Sequence, residues 1–108
     1  MALTTNTQVN SNGIVNHATG HIVSDSGAAA VTTITLGFAP RIVRFHNVTD
    51  RISDEWVSGM ASANSIHSVA VGTRTLETTN GIAVSGNTFT LTAATMVASK
   101  TFVWEAIG

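Results

Sequence analysis

Arg41-Ile42-Val43-Arg44-Phe45-His46-Asn47-Val48 is the stretch that decides the fold class. It is rich in β-branched and aromatic residues, and its character alternates with a period of two. On an extended chain Val43 and Phe45 share one face, and Arg44 and His46 share the other. Gly37-Phe38-Ala39-Pro40 interrupts the chain just before it. There Pro40 holds Ala39 extended and lacks a donor of its own. Thr49-Asp50-Arg51 follows as a polar turn. The octapeptide therefore reads as one short strand between two breaks.

The pattern repeats on both sides. Val31-Thr32-Thr33-Ile34-Thr35-Leu36 is dense in β-branched residues. Residues 53–60 admit a helix capped by Ser53 or Asp54, but Ser58 and Gly59 would keep it short, so a strand is favoured. Residues 61–68 are small and polar and read as a loop. Residues 69–71 and 73–76 look extended on either side of Gly72. Asn80-Gly81 predicts a tight type I′ turn, whose central positions need positive φ. Ile82-Ala83-Val84 and Thr88-Phe89-Thr90-Leu91-Thr92 then flank a second turn at Ser85-Gly86-Asn87. Only residues 93–99 have helical character, and briefly. In Thr101-Phe102-Val103-Trp104-Glu105-Ala106, Phe102, Trp104 and Ala106 point one way and Val103 and Glu105 the other. About seven short strands with frequent turns predict an all-β chain, a small β-sandwich or jelly-roll-like domain over residues 31–108.

Residues 1–30 differ. They are rich in Thr, Asn, Ser and Gly, with Leu3, Val9, Ile14 and Val15 scattered among them. So little apolar area does not offset the entropy of ordering the backbone. The segment reads as an extended N-terminal arm lying on a neighbouring subunit rather than a frayed end. Short extended pieces are expected near residues 13–16 and 21–24.

Charged residues make up 10% of the chain, against a usual share of about 25%. A neutral, hydroxyl-rich surface can be covered by another protein without stranding charges. The net charge is −1, and Arg41, Arg44 and Arg51 are followed closely by Asp50, Asp54 and Glu55. Nucleic-acid binding, which needs a basic stripe, is not expected. No segment has the roughly 20 apolar residues of a membrane helix. Residues 1–10 carry no basic start or apolar run, so no secretory signal is expected and synthesis is placed in a cytoplasm.

The residues that could carry chemistry do not cluster in sequence. His17 and His21 have i, i+4 spacing, but Thr19 and Gly20 make a helix improbable there, and no metal or cofactor site is expected. No serine sits in a Gly-x-Ser-x-Gly elbow, Asp54 and Glu55 point to opposite faces of a strand, and Glu77 and Glu105 stand alone. The chain is therefore not expected to be an enzyme. His46 alternates out of its strand beside Arg44, which suits a surface or subunit contact. Trp56 has acidic and polar neighbours, so besides the core it could serve a rim, a subunit contact or a sugar ring. Leu3, Val9, Ile14, Val15, Arg41, Arg44, His46 and Trp56 are the candidates for contacts with other chains.

The stretch from Leu36 to Arg51 resembles a module found in virion proteins of tailed bacteriophages. The resemblance rests on Gly37-Phe38-Ala39-Pro40, the apolar strand, Asn47-Val48-Thr49-Asp50-Arg51 and the Trp56 segment. It continues through Asn80-Gly81-Ile82, Phe89-Thr90-Leu91 and Trp104-Glu105-Ala106, and so covers about residues 31–108. It implies a small β-sandwich of head decoration (cement) proteins or tail-fibre and baseplate parts, commonly trimeric and without catalytic residues. The expectation is a virion protein that stabilises adjacent major capsid protein subunits as a homotrimer. The alternative is a fibre or baseplate component that binds a host glycan, with Trp56 as its platform.

Overall fold

A computed structural model describes residues 16–108. The described chain is all-β, with eight strands and no helix. They are β1 (His17–Val23), β2 (Thr32–Thr35), β3 (Ile42–Asn47) and β4 (Ile52–Val57), then β5 (Asn64–Ser68), β6 (Arg74–Ser85), β7 (Thr88–Leu91) and β8 (Thr101–Ile107). They form one antiparallel sheet in the order β1-β8-β3-β4-β5-β6-β7-β2. Hydrogen bonding is continuous, because β6 pairs with β5 near its start and with β7 near its end. The layers expected of a sandwich are here two arms of one curled sheet.

The curl brings β7 over β8. Phe89 meets Trp104 edge-on with ring centroids 5.3 Å apart, and Phe45 meets Phe102 at 5.4 Å. Val43, Phe45, Ile82, Phe89, Leu91, Met96, Phe102 and Ala106 form the buried core with Trp56. Alternation carries this packing: β3 buries Val43, Phe45 and Asn47 and leaves Ile42, Arg44 and His46 on the other side. In β8, Phe102, Trp104 and Ala106 face inward. Gly20 lies opposite Trp104, and a Cβ there would collide with the indole.

The sheet bends within β6. Pairing jumps from Asn64↔Ile82 to Ser65↔Glu77, so residues 78–81 bulge out of register. The Asn80 amide donates to Glu77 Oε1 at 2.7 Å. Asn80-Gly81 is therefore not a hairpin turn. Gly81 is needed because a Cβ would strike the backbone of residues 63–65. The β5–β6 turn lies at residues 69–73, where Gly72 has φ 92° and its amide donates to Val69 O. Gly86, with φ 56°, makes the β6–β7 turn as expected.

Three further expectations need correction. Residues 61–68 do not form a loop throughout, since Asn64–Ser68 is β5. Its pairing comes from β4 and β6 on either side, and its inward Ser65 satisfies a buried carboxylate instead of packing an apolar side chain. Residues 93–99 are a turn and not a helix: the Thr95 and Met96 amides both donate to Thr92 O, and Met96 plugs the core. Residues 17–23, inside the segment read as an arm, form β1 and pair with this chain's own β8.

Candidate functional site

The outer face of the sheet, opposite the core, gathers most of the polar chemistry. Antiparallel register aligns side chains across six strands. One row runs Thr19–Glu105–Arg44–Glu55–Ile66–Leu76. The next runs His21–Val103–His46–Ser53–Ser68–Arg74. Directly opposed residues share a face, so both rows lie on one surface.

Arg44 is the centre of an ion network. Its Nε donates to Glu55 Oε2 and its Nη1 to Glu105 Oε1, both at 2.8 Å. His17 Nε2 donates to Glu105 Oε2, also at 2.8 Å. Four residues from β1, β8, β3 and β4 are thus tied across the face. The hydrogen bond from His17, then that from Arg44, holds the Glu105 carboxyl below the ordinary carboxylate range. Glu55 first and Glu105 second push the Arg44 guanidinium further up. His46 Nδ1 is hydrogen-bonded to Ser53 Oγ at 2.8 Å.

Beside this network the face is apolar. Ile66 is 41% exposed, Leu76 62% and Val103 36%. A hollow of about 280 Å³ lies between the two zones, lined by Arg44, His46, Ser53, Glu55, Ile66 and Arg74 among others. The paired charges of the Arg44 network and the apolar side chains open to water suit contact with another protein.

The inner side carries a second cluster. Asp54, only 4% exposed, accepts from Ser65 Oγ at 2.7 Å and His67 Nδ1 at 2.9 Å. A cavity of about 240 Å³ opens beside it, lined by Phe45, Asn47, Asp50, Asp54, His67 and Val97 among others. The Ser65 hydroxyl is committed to the carboxylate and not to the imidazole. His67 therefore does not act as its base in this arrangement. Among the described residues no group of three or more His, Cys, Asp or Glu side chains is placed to hold a metal ion.

The contact candidates distribute unevenly. Leu3, Val9, Ile14 and Val15 lie outside the described residues. Arg44 and His46 stand on the outer face. Arg41 sits at the start of β3, where its Nη2 donates to Gly108 O at 3.1 Å. Of the roles open to Trp56, the structure gives it the core: it is 8% exposed, and its Nε1 donates to Ala61 O at 3.3 Å. Alternation on β4 turns Trp56 inward with Asp54, so its ring is not available to stack on a sugar. Sequence reading missed Glu105 as a partner of Arg44 and His17 as a partner of Glu105, because the paired residues are 61 and 88 positions apart. Comparison of the chain with protein-family models, curated proteins and solved structures returns no match.

Proposed function

We propose that this chain is a structural virion protein, a decoration protein that binds adjacent major capsid protein subunits as a homotrimer. The observation that carries the reading is the outer face. Arg44, Glu55, Glu105 and His17 are paired with one another, so covering them strands no ion, and Arg74 at the margin of the face is the charge left for a partner to meet. Its exposed Ile66, Leu76 and Val103 supply apolar area for a partner to bury. The low charge content lets copies crowd together on a shell without repulsion. Repetition around a particle then turns a modest interface into a lasting one through avidity. The phage-module resemblance points the same way.

The fibre reading is weaker, because the burial of Trp56 removes the glycan platform assigned to it. Mass spectrometry of purified tail-less heads tests the leading reading. Presence of the chain in those heads is expected; its absence there, with presence in tails, would transfer it to the fibre reading. A glycan array on the isolated protein is expected to show no specific binding.

A further inference from the structure

The two ends of the sheet are built differently. Sheet edges expose unpaired backbone groups, and proteins ordinarily blunt them with shortness, charge, proline or bulges. At one end β2 is blunted by shortness, having four residues. At the other end β1 has seven residues, His-Ala-Thr-Gly-His-Ile-Val, with no Lys, Arg, Asp, Glu or Pro. Its register against β8 is unbroken from His17↔Ile107 to Val23↔Thr101.

The hydrogen bonds at its ends fix which groups face outward. The Gly108 amide donates to Asn16 O at 2.7 Å, and the Ser24 amide donates to Lys100 O at 2.9 Å. Bonded pairs alternate with non-bonded pairs in an antiparallel ladder. The even-numbered residues of β1 are therefore the ones bonded to β8. The N–H and C=O groups of His17, Thr19, His21 and Val23 point away from the sheet formed by the described residues.

We propose that β1 is a homotypic docking edge, pairing antiparallel with β1 of a second copy about a two-fold axis at Gly20. That register matches His17 with Val23 of the second copy and Thr19 with His21 of the second copy. All four outward residues on each strand are then satisfied. Ala18 falls opposite Ile22 of the second copy on the core side, so the apolar inner surface continues across the junction. Gly20 faces its own equivalent at the closest approach, where a side chain would be most crowded. No charge meets a like charge, since β1 holds no Lys, Arg, Asp or Glu. The short β2 edge presents only Thr33 and Thr35 outward by the same alternation, because the Leu36 amide donates to Asn87 O just before β7. A head-to-tail β1–β2 pairing would leave half of the β1 groups unmatched.

This proposal does not rest on the virion reading. A two-fold junction at β1 leaves the outer face free, so it can join two monomers or two trimers.

The test is the mass of the full-length chain by sedimentation, with proline placed on either edge. Thr19→Pro removes an outward N–H and leaves the bonds to β8 untouched, a position where proline is tolerated. The parent is expected to sediment as an even assembly, Thr19→Pro at half its mass with the same circular dichroism, and Thr35→Pro like the parent. A parent that stays monomeric at hundreds of micromolar, a Thr19→Pro variant that keeps the parent mass, or loss of pairing on Thr35→Pro would each overturn the proposal. Should Thr19→Pro not fold, cysteine pairing decides. Facing bonded residues have Cα atoms about 5.5 Å apart, within disulfide reach. An oxidised mixture of Thr19→Cys and His21→Cys chains is expected to give a mixed disulfide dimer in a cysteine-free background. A mixture of Thr35→Cys and His21→Cys chains should give none. The reverse pattern contradicts the assigned register.

Discussion

At the residue scale, Glu105 is the clearest hub on the outer face. Its carboxylate accepts from His17 on one oxygen and from Arg44 on the other. Because its pKa is lowered on folding, its contribution to stability is complete above the unfolded value of about 4.3 and is lost as pH falls through the lower folded value. Asp50 behaves alike, its carboxyl lowered first by Lys100 and then by Asn47. Both sites are substantially exposed, so the effect is small. Melting temperature measured from pH 6 down to pH 2 should fall less steeply below about pH 4 for Glu105→Gln than for the parent. Equal slopes would show that the network adds nothing to the folded state. The facing of Arg44 was legible in its octapeptide, and Glu105 was legible as an outward residue of β8. Their meeting was not, because register between β3 and β8 depends on how residues 48–100 between them fold.

At the element scale, the β3–β4 turn explains why Asn47-Val48-Thr49-Asp50-Arg51 stood out in the sequence. Asn47 Oδ1 accepts from the Asp50 amide at 2.9 Å, and its Nδ2 donates to Asp50 Oδ2 at 3.0 Å. Asp50 then holds Lys100 Nζ at 3.0 Å, and Thr49 Oγ1 accepts from the Thr101 amide at 2.9 Å. The turn so fixes the start of β8, and Arg51 leaves it with φ 57°. Asn47→Ala removes a buried amide and both of its bonds, and chemical denaturation should register a loss of about 1–3 kcal/mol. A change below a few tenths would mean that water replaces the amide. Strands with apolar alternation, such as β3, β7 and β8, were legible. β5 was not, since Asn64-Ser65-Ile66-His67-Ser68 offers one large apolar residue and turns it outward. Its inward side is organised by Asp54, a polar solution that periodicity does not detect. Asn80-Gly81 misled because its glycine serves close backbone approach at the bend and not a positive φ. β1 also sets how the N-terminal residues can be tested. Deleting 1–20 removes His17 to Gly20 from β1 and exposes the edge of β8, so the sheet itself is expected to be weakened.

At the scale of the whole molecule, the sheet joins distant parts of the chain. β1 pairs with β8, and β2 with β7, so both edges close only after most of the chain has been placed. Such non-local pairing is slow, and refolding after denaturant dilution should take milliseconds to seconds. A microsecond phase carrying the full signal would contradict this topology. The all-β class was legible from composition and turns, whereas the single curled ladder was not, because it depends on the bulge in β6. On the decoration reading the outer face, with its Arg44 ion network and its open Ile66, Leu76 and Val103, is covered by the proteins of an assembled shell. Cryo-electron imaging of a particle containing this chain measures that most directly. Three copies are expected around a local three-fold axis of the head, each with its outer face seated on shell subunits. Copies found on the tail, or on the head with that face turned to solvent, would contradict it.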